Sequence, residues 1–185
     1  TSGLSKWCGA GGWRLGFFAA PKQLSKLLDS LKVLASETFS TVNSPIQYAA
    51  VEAYKGNYED FKLKTSKILR SVGNYVFENL KSNKVLINPS QGGFYLMPEF
   101  INKRYKTSSE MCLAILKETG VALLPGSAFG FKPNKMLARL SFTDFDGSFF
   151  LKNISNGKIT DQDIQNFAPN VVEGTKILSK WAQNL

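Results

Sequence analysis

Lys6 stands between Ser5 and Trp7, just ahead of a glycine-rich stretch at Gly9, Gly11 and Gly12. A lysine among small and aromatic side chains can be desolvated, which disfavours the ammonium and frees an amine able to form a Schiff base. Most lysines are solvated, so this residue alone leaves both readings open. Eight residues on, Arg14 lies in Trp13-Arg14-Leu15-Gly16-Phe17, an apolar run that reads as a strand. A guanidinium there needs an anion, and its planar fork suits a phosphate, a carboxylate or an internal ion-pair partner. Arg139 interrupts the apolar segment Met136 to Phe142 and calls for Asp144, a nearby glutamate or a ligand carboxylate. Taken alone, it reads first as half of a salt bridge.

The 185 residues include no histidine, which excludes Ser-His-Asp triads, Cys-His dyads, HExxH zinc sites and two-His iron sites within this chain. Proton transfer falls to Lys, Tyr, Cys, a carboxylate or a cofactor. Two cysteines, Cys8 and Cys112, are too few for a disulfide framework or a four-ligand zinc site. They fit a reducing, cytoplasmic setting, and no metal is expected. With 23 Lys+Arg against 14 Asp+Glu the net charge is +9, but the lysines are spread along the length. A basic solvated surface is expected rather than a nucleic-acid site. No apolar run approaches the roughly 20 residues that a membrane span needs, so no membrane role is expected. Gly9-x-Gly11-x-x-Arg14 lacks the third glycine of a dinucleotide fingerprint, and Gly126 to Gly130 lacks the Gly-Lys-Ser/Thr of a P-loop. Asp144 and Asp146 read as turn residues rather than a metal pair.

The elements that must position these residues follow from periodicity and punctuation. A strand is expected over Trp13 to Ala19, stopped by Pro21. Leu24, Leu27, Leu28, Leu31 and Leu34 then mark an amphipathic helix over 22–36. Asn43-Ser44-Pro45 opens a second helix that runs to about Tyr54 and ends at Gly56. Asn57 caps a third, with Glu59 and Asp60 in its first turn and Phe61, Ile68, Leu69, Val72, Val76 and Leu80 as its stripe. Running to about Lys81, that helix is roughly 37 Å long, enough to bridge two domains. Beyond it, Val85 to Asn88 and Gly93 to Met97 read as strands joined by Pro89-Ser90-Gln91-Gly92. Thr107 and Glu110 form a capping box for a helix ending at Gly120, and Val121 to Leu124 is a short strand. In 136–143 the alternation puts Met136, Ala138, Leu140 and Phe142 on one face and Arg139 on the other. Thr160 and Asp163 open a closing helical region, interrupted by Pro169 and resumed to Trp181. The second half is α+β, whereas the first 60 or so residues carry one strand and two helices and do not make a domain, so the chain reads as the back part of something larger.

Taken together, Ser2-Gly3-Leu4-Ser5-Lys6, Gly12-Trp13-Arg14-Leu15-Gly16, Gly93-Phe94-Tyr95, Leu124-Pro125-Gly126-Ser127-Ala128-Phe129-Gly130 and Ala138-Arg139-Leu140-Ser141-Phe142 resemble one family. It is the class I/II pyridoxal-phosphate-dependent aminotransferases of the aspartate aminotransferase fold. The resemblance spans essentially the whole chain and begins at the family's cofactor lysine, so it corresponds to about the C-terminal half of a full-length member. It implies an α/β protein of fold type I. Residues 1–60 would be the end of the large cofactor-binding domain, and 61–185 the α+β small C-terminal domain, entered through the helix at about 57–81.

The same resemblance implies roles residue by residue. Lys6 matches the lysine that forms the imine with pyridoxal phosphate and later moves the proton at the substrate Cα. Arg14 matches the arginine that grips the cofactor phosphate, and Arg139 the one that clamps the substrate α-carboxylate. Many members carry a hydroxyl residue three before the lysine; here that position is Gly3, leaving Ser5 and Ser2 as the nearby hydroxyls for the phosphate. The implied reaction moves an amino group between an α-amino acid and a 2-oxo acid, in a homodimer when full length. The family's partners of the pyridine ring lie upstream of the lysine, so the isolated chain is expected to have little or no activity. A same-fold β-lyase or aminocyclopropane-carboxylate-type synthase would use Lys6, Arg14 and Arg139 equally. Outside enzyme chemistry, the alternative is a non-catalytic α+β interaction module.

Overall fold

Glycine at two facing positions lets the opening segment fold back on itself. Strand β1 (Ser2–Gly3) pairs antiparallel with β2 (Gly16–Phe17), Gly3 opposite Gly16. A Cβ on Gly3 would stand 3.1 Å from the Leu15 carbonyl oxygen, and one on Gly16 3.2 Å from that of Ser2. The computed structural model describes residues 1–154 and 158–185, and the chain divides into two units, Thr1–Lys62 and Leu63–Leu185.

In the first unit the strand expected over Trp13 to Ala19 shrinks to Gly16–Phe17. Gly11–Trp13 forms a 3-10 turn, and Arg14 follows at φ 54°, in the left-handed region, which breaks the extended backbone. Helix α1 (Ser25–Thr38) starts after a 3-10 turn at Lys22–Leu24. Its leucine stripe forms at the expected spacing but is only partly covered: Leu28 and Leu31 are half-buried, no residue of α1 is fully buried, and Leu34 is 57% exposed. Helix α2 (Ser44–Lys55) carries its proline in the first turn, as expected. Asn43 makes no side-chain cap; instead Gln47 Nε2 donates to the Val42 carbonyl at 2.7 Å. Gly56 does end the helix, but with extended backbone at φ −69° rather than in the left-handed region.

Helix α3 (Glu59–Leu80) begins where Asn57 Oδ1 accepts the Glu59 N–H at 3.2 Å, and the division between the units falls within it. Ile68, Val72, Val76 and Leu80 bury the predicted stripe, while Phe61 at its start is 38% exposed. The strands expected over 85–88 and 93–97 appear as β3 (Val85–Leu86) and β4 (Tyr95–Leu96), yet they do not pair with each other. β3 takes β5 (Glu99–Phe100), a strand the sequence pattern did not mark, and β4 takes β7 (Ala138–Ser141). Cross-strand apolar pairs explain the choice. Val85 meets Phe100 and Leu96 meets Leu140, all four buried.

β7 is the middle strand of the order β4-β7-β6, with β6 at Leu124–Pro125. Helix α4 (Ser108–Thr119) opens on the Thr107/Glu110 capping box and stops at Gly120, φ +74°. A short helix missed in the sequence, α5 (Gly147–Asn153), is capped by Asp146, whose Oδ1 accepts the Ser148 N–H at 2.8 Å. Hydrogen bonding from the Ser148 side chain, and then from its backbone N–H, holds the Asp146 carboxyl below its ordinary value. The Thr160/Asp163 capping box opens α6 (Asp161–Phe167), and Pro169 starts α7 (Pro169–Gln183), which continues two residues past Trp181.

Gly73, in the second half of α3, faces the ring of Phe142; a Cβ there would lie 2.9 Å from its Cζ. Alanine gains about 1 kcal/mol of helix propensity, but overpacking a closed core costs about 1–3 kcal/mol. Gly73→Ala is therefore expected to destabilise by about 1 kcal/mol, read as a lower urea midpoint at unchanged slope. Burial pushes the Cys112 thiol up to about 11. Below that pH it stays the neutral thiol, which is not the nucleophile. Iodoacetamide at pH 8 is expected to spare Cys112 in the native chain and to alkylate it in urea, as peptide mass mapping would record.

Candidate active site

Lys6 sits in the turn that follows β1. Its carbonyl accepts the Gly9 N–H at 3.3 Å, the Ala10 N–H reaches back to Leu4 at 3.1 Å, and Gly9 turns the chain at φ +69°. The side chain of Lys6 is exposed, so the described residues do not desolvate it as its aromatic neighbourhood suggested. The aromatic neighbour, Trp7, packs on Tyr54 and Tyr58 at ring-centroid distances of 5.8 and 6.0 Å. Its buried indole N–H has no hydrogen-bond partner among the described residues.

Arg14 is neither in a strand nor, among the described residues, in an ion pair, contrary to the expectation for an apolar strand. It follows the 3-10 turn with its side chain exposed, and Nη1 donates to the Gly11 carbonyl at 2.9 Å. With Gly12, Trp13, Thr41 and Asn43 it lines an open hollow of about 510 Å³. Ser2 is exposed on β1, and Ser5 is half-buried beside Lys6. Gly3 takes a larger residue only if the Leu15 carbonyl, 3.1 Å from where its Cβ would stand, gives way. Ser2, Ser5, Lys6 and Arg14 thus lie together in the first unit, and Arg139 belongs to the second.

Arg139 projects from the middle strand of the sheet on the face away from Ala138 and Leu140, and it is half-buried. The expected salt bridge is absent: no carboxylate among the described residues pairs with it, Asp144 included. Aromatic rings take that place. Its Cζ lies 4.4 Å from the Tyr95 ring centroid and 4.3 Å from that of Phe129. Attraction between a cation and a ring face holds the group without using its N–H donors.

Both rings are set by backbone. Tyr95 pairs with Ser141 across β4–β7, which puts it on the Arg139 face. Phe129 closes a 3-10 turn (Gly126–Phe129) ended by Gly130 at φ +85°. Gly126 donates to the Leu137 carbonyl at 2.7 Å, and a Cβ on it would meet that oxygen at 2.9 Å. The sequence reading assigned neither ring a role. The signals were Tyr95 close after Gly93 and Phe129 just before Gly130.

A family model described as aminotransferase class I and II matches residues 1–146. The chain is 32% identical to the aspartate aminotransferase of Sulfolobus acidocaldarius over 148 residues, covering 77% of this chain and 35% of that protein. Against the aspartate aminotransferase of Geobacillus stearothermophilus it is 33% identical over 149 residues, 77% of this chain and 37% of the relative. The solved alanine aminotransferase of Pyrococcus furiosus superposes with a TM-score of 0.71 at 24% identity, covering 99% of this chain and 41% of that one. That likeness shows the fold, the α/β architecture of type I pyridoxal-phosphate aminotransferases. The chain spans roughly a third of the length of these curated relatives. Over the part that it spans, from the lysine turn through the strand that carries Arg139, it belongs to the class I and II aminotransferase family.

Proposed function

We propose that this chain is the portion of a pyridoxal-phosphate-dependent aminotransferase that supplies its cofactor lysine, its phosphate-binding arginine and its substrate-carboxylate arginine. The whole protein moves an amino group from an α-amino acid to a 2-oxo acid, as a cytoplasmic homodimer. Family membership supports the reaction class, and free Cys8 and Cys112 suit a reducing compartment. The observation that carries the reading is Arg139: a half-buried cation held by two rings, with no carboxylate partner among the described residues. A guanidinium held in this way is ready to receive an anion.

The residues of the first unit fit pyridoxal phosphate. Arg14 spends one N–H on Gly11 and keeps its other donors for a phosphate, while Lys6 is exposed and sterically accessible. When bound, that cofactor supplies an aldehyde carbon for imine exchange and a ring that takes up the Cα electron pair. Arg14 anchors the phosphate, with Ser2 and Ser5 as additional hydroxyl donors. Lys6 Nζ holds the cofactor between turnovers and, once released, accepts the substrate Cα proton and returns it. Arg139 grips the α-carboxylate with a pair of N–H donors and so orients the bonds at Cα.

Borohydride reduction of the chain mixed with pyridoxal phosphate, followed by peptide mass mapping, tests this. Selective labelling of Lys6, lost in Lys6→Ala, is expected. Label scattered over surface lysines, unchanged in Lys6→Ala, would refute the cofactor role. On its own the 185-residue chain is expected to turn over amino acids far below the roughly 10 s⁻¹ typical of enzymes, because Lys6 is exposed rather than enclosed. A coupled assay for 2-oxo acid release checks this.

A further inference from the structure

We propose that Tyr95 and Phe129 are positioning residues for a carboxylate site at Arg139, holding its guanidinium in place while leaving its charge and its N–H donors to the ligand. This rests on the reading of Arg139 as a carboxylate-binding residue and goes beyond it by naming what prepares that residue to bind. A long side chain on a strand samples many rotamers, and a ligand that needs one of them loses affinity by ordering it. Proteins usually restrain such an arginine with a carboxylate, but that partner would occupy the fork and neutralise the charge. Here the restraint comes from rings 4.4 and 4.3 Å from Cζ, whose π faces attract the cation and accept no conventional hydrogen bond.

The two rings stand on independently fixed backbone. Tyr95 is held by its register with Ser141. Phe129 is held by the turn that Gly126 docks onto Leu137 and Gly130 closes. Tyr95 is half-buried and Phe129 is 40% exposed, so the second can be trimmed without opening the core. The ligand class is a small α-substituted carboxylate, bound through its planar carboxyl group.

The test uses the 185-residue chain, ¹⁵N-labelled, with the Arg139 Nε–H resonance assigned by its loss in Arg139→Gln. Pyruvate is the probe and acetone, which lacks the carboxylate, the control; binding to every chain, Arg139→Gln included, is also read from saturable broadening of the pyruvate methyl resonance. In the wild type the Arg139 resonance is expected to be displaced by ring currents and to shift saturably with pyruvate but not with acetone. Tyr95→Leu and Phe129→Leu are each expected to return that resonance toward the free-arginine position and to weaken pyruvate binding about fivefold to tenfold. Tyr95→Phe, which keeps the ring, should retain both properties, a rescue that a merely structural role for the hydroxyl would not give. If both leucine variants bind pyruvate like the wild type while Arg139→Gln does not, the ring clamp is overturned and the carboxylate reading stands. If Arg139→Gln binds like the wild type, or the wild type shows no saturable shift, the carboxylate reading falls and this proposal with it.

Discussion

The strand Ala138–Ser141 is flanked by two close approaches made at glycines, and the exit of its one charged side chain depends on them. On its core side the strand is followed directly by Phe142, whose ring fills the notch left by Gly73 in α3. Just ahead of it, the Leu137 carbonyl is met by Gly126 at a distance that leaves no room for a Cβ. Period-2 alternation then does the rest: Ala138 and Leu140 go to the core, and Arg139 must leave by the opposite face. Packing thus decides where the charge emerges. The same docking of Gly126 sets the turn that brings Phe129 over the guanidinium.

The two units contrast in how they use their apolar residues. α3, α4 and α7 each bury a stripe around Val72, Ile115 and Leu178, all without exposed surface. The first unit has α1, with a regular leucine stripe and no buried residue, and α2, where Ala50 alone is buried. Spacing of 3.6 residues forms the helix in both cases, but it does not state what the apolar face will meet. In the first unit the described residues cover that face only in part.

Legibility in the sequence followed the range of the interaction. The capping box at Thr107/Glu110 and the helix start at Thr160/Asp163 are local, three residues across, and both appear where expected, the second as a capping box too. Strand pairing is long-range: β3 and β4 looked like neighbours because they are close in sequence, yet each pairs elsewhere, with a buried apolar residue opposite its own. Arg14 was misread because an apolar neighbourhood suggests an extended chain, while its φ of 54° depends on the turn before it. α5 escaped because seven residues carry too little periodicity, although Asp146 at its cap was visible. For the site, residue types and order singled out Lys6, Arg14 and Arg139. What surrounds Arg139 was not legible, because a cation's pattern in sequence does not tell a carboxylate partner from a pair of rings.

That difference in partner changes how the site responds to its medium. An arginine held by a carboxylate is released when the acid protonates, near pH 4, and is loosened by salt. The attraction of Arg139 to Tyr95 and Phe129 has no carboxylate to lose. Acid that leaves the sheet folded therefore leaves the guanidinium between its two rings.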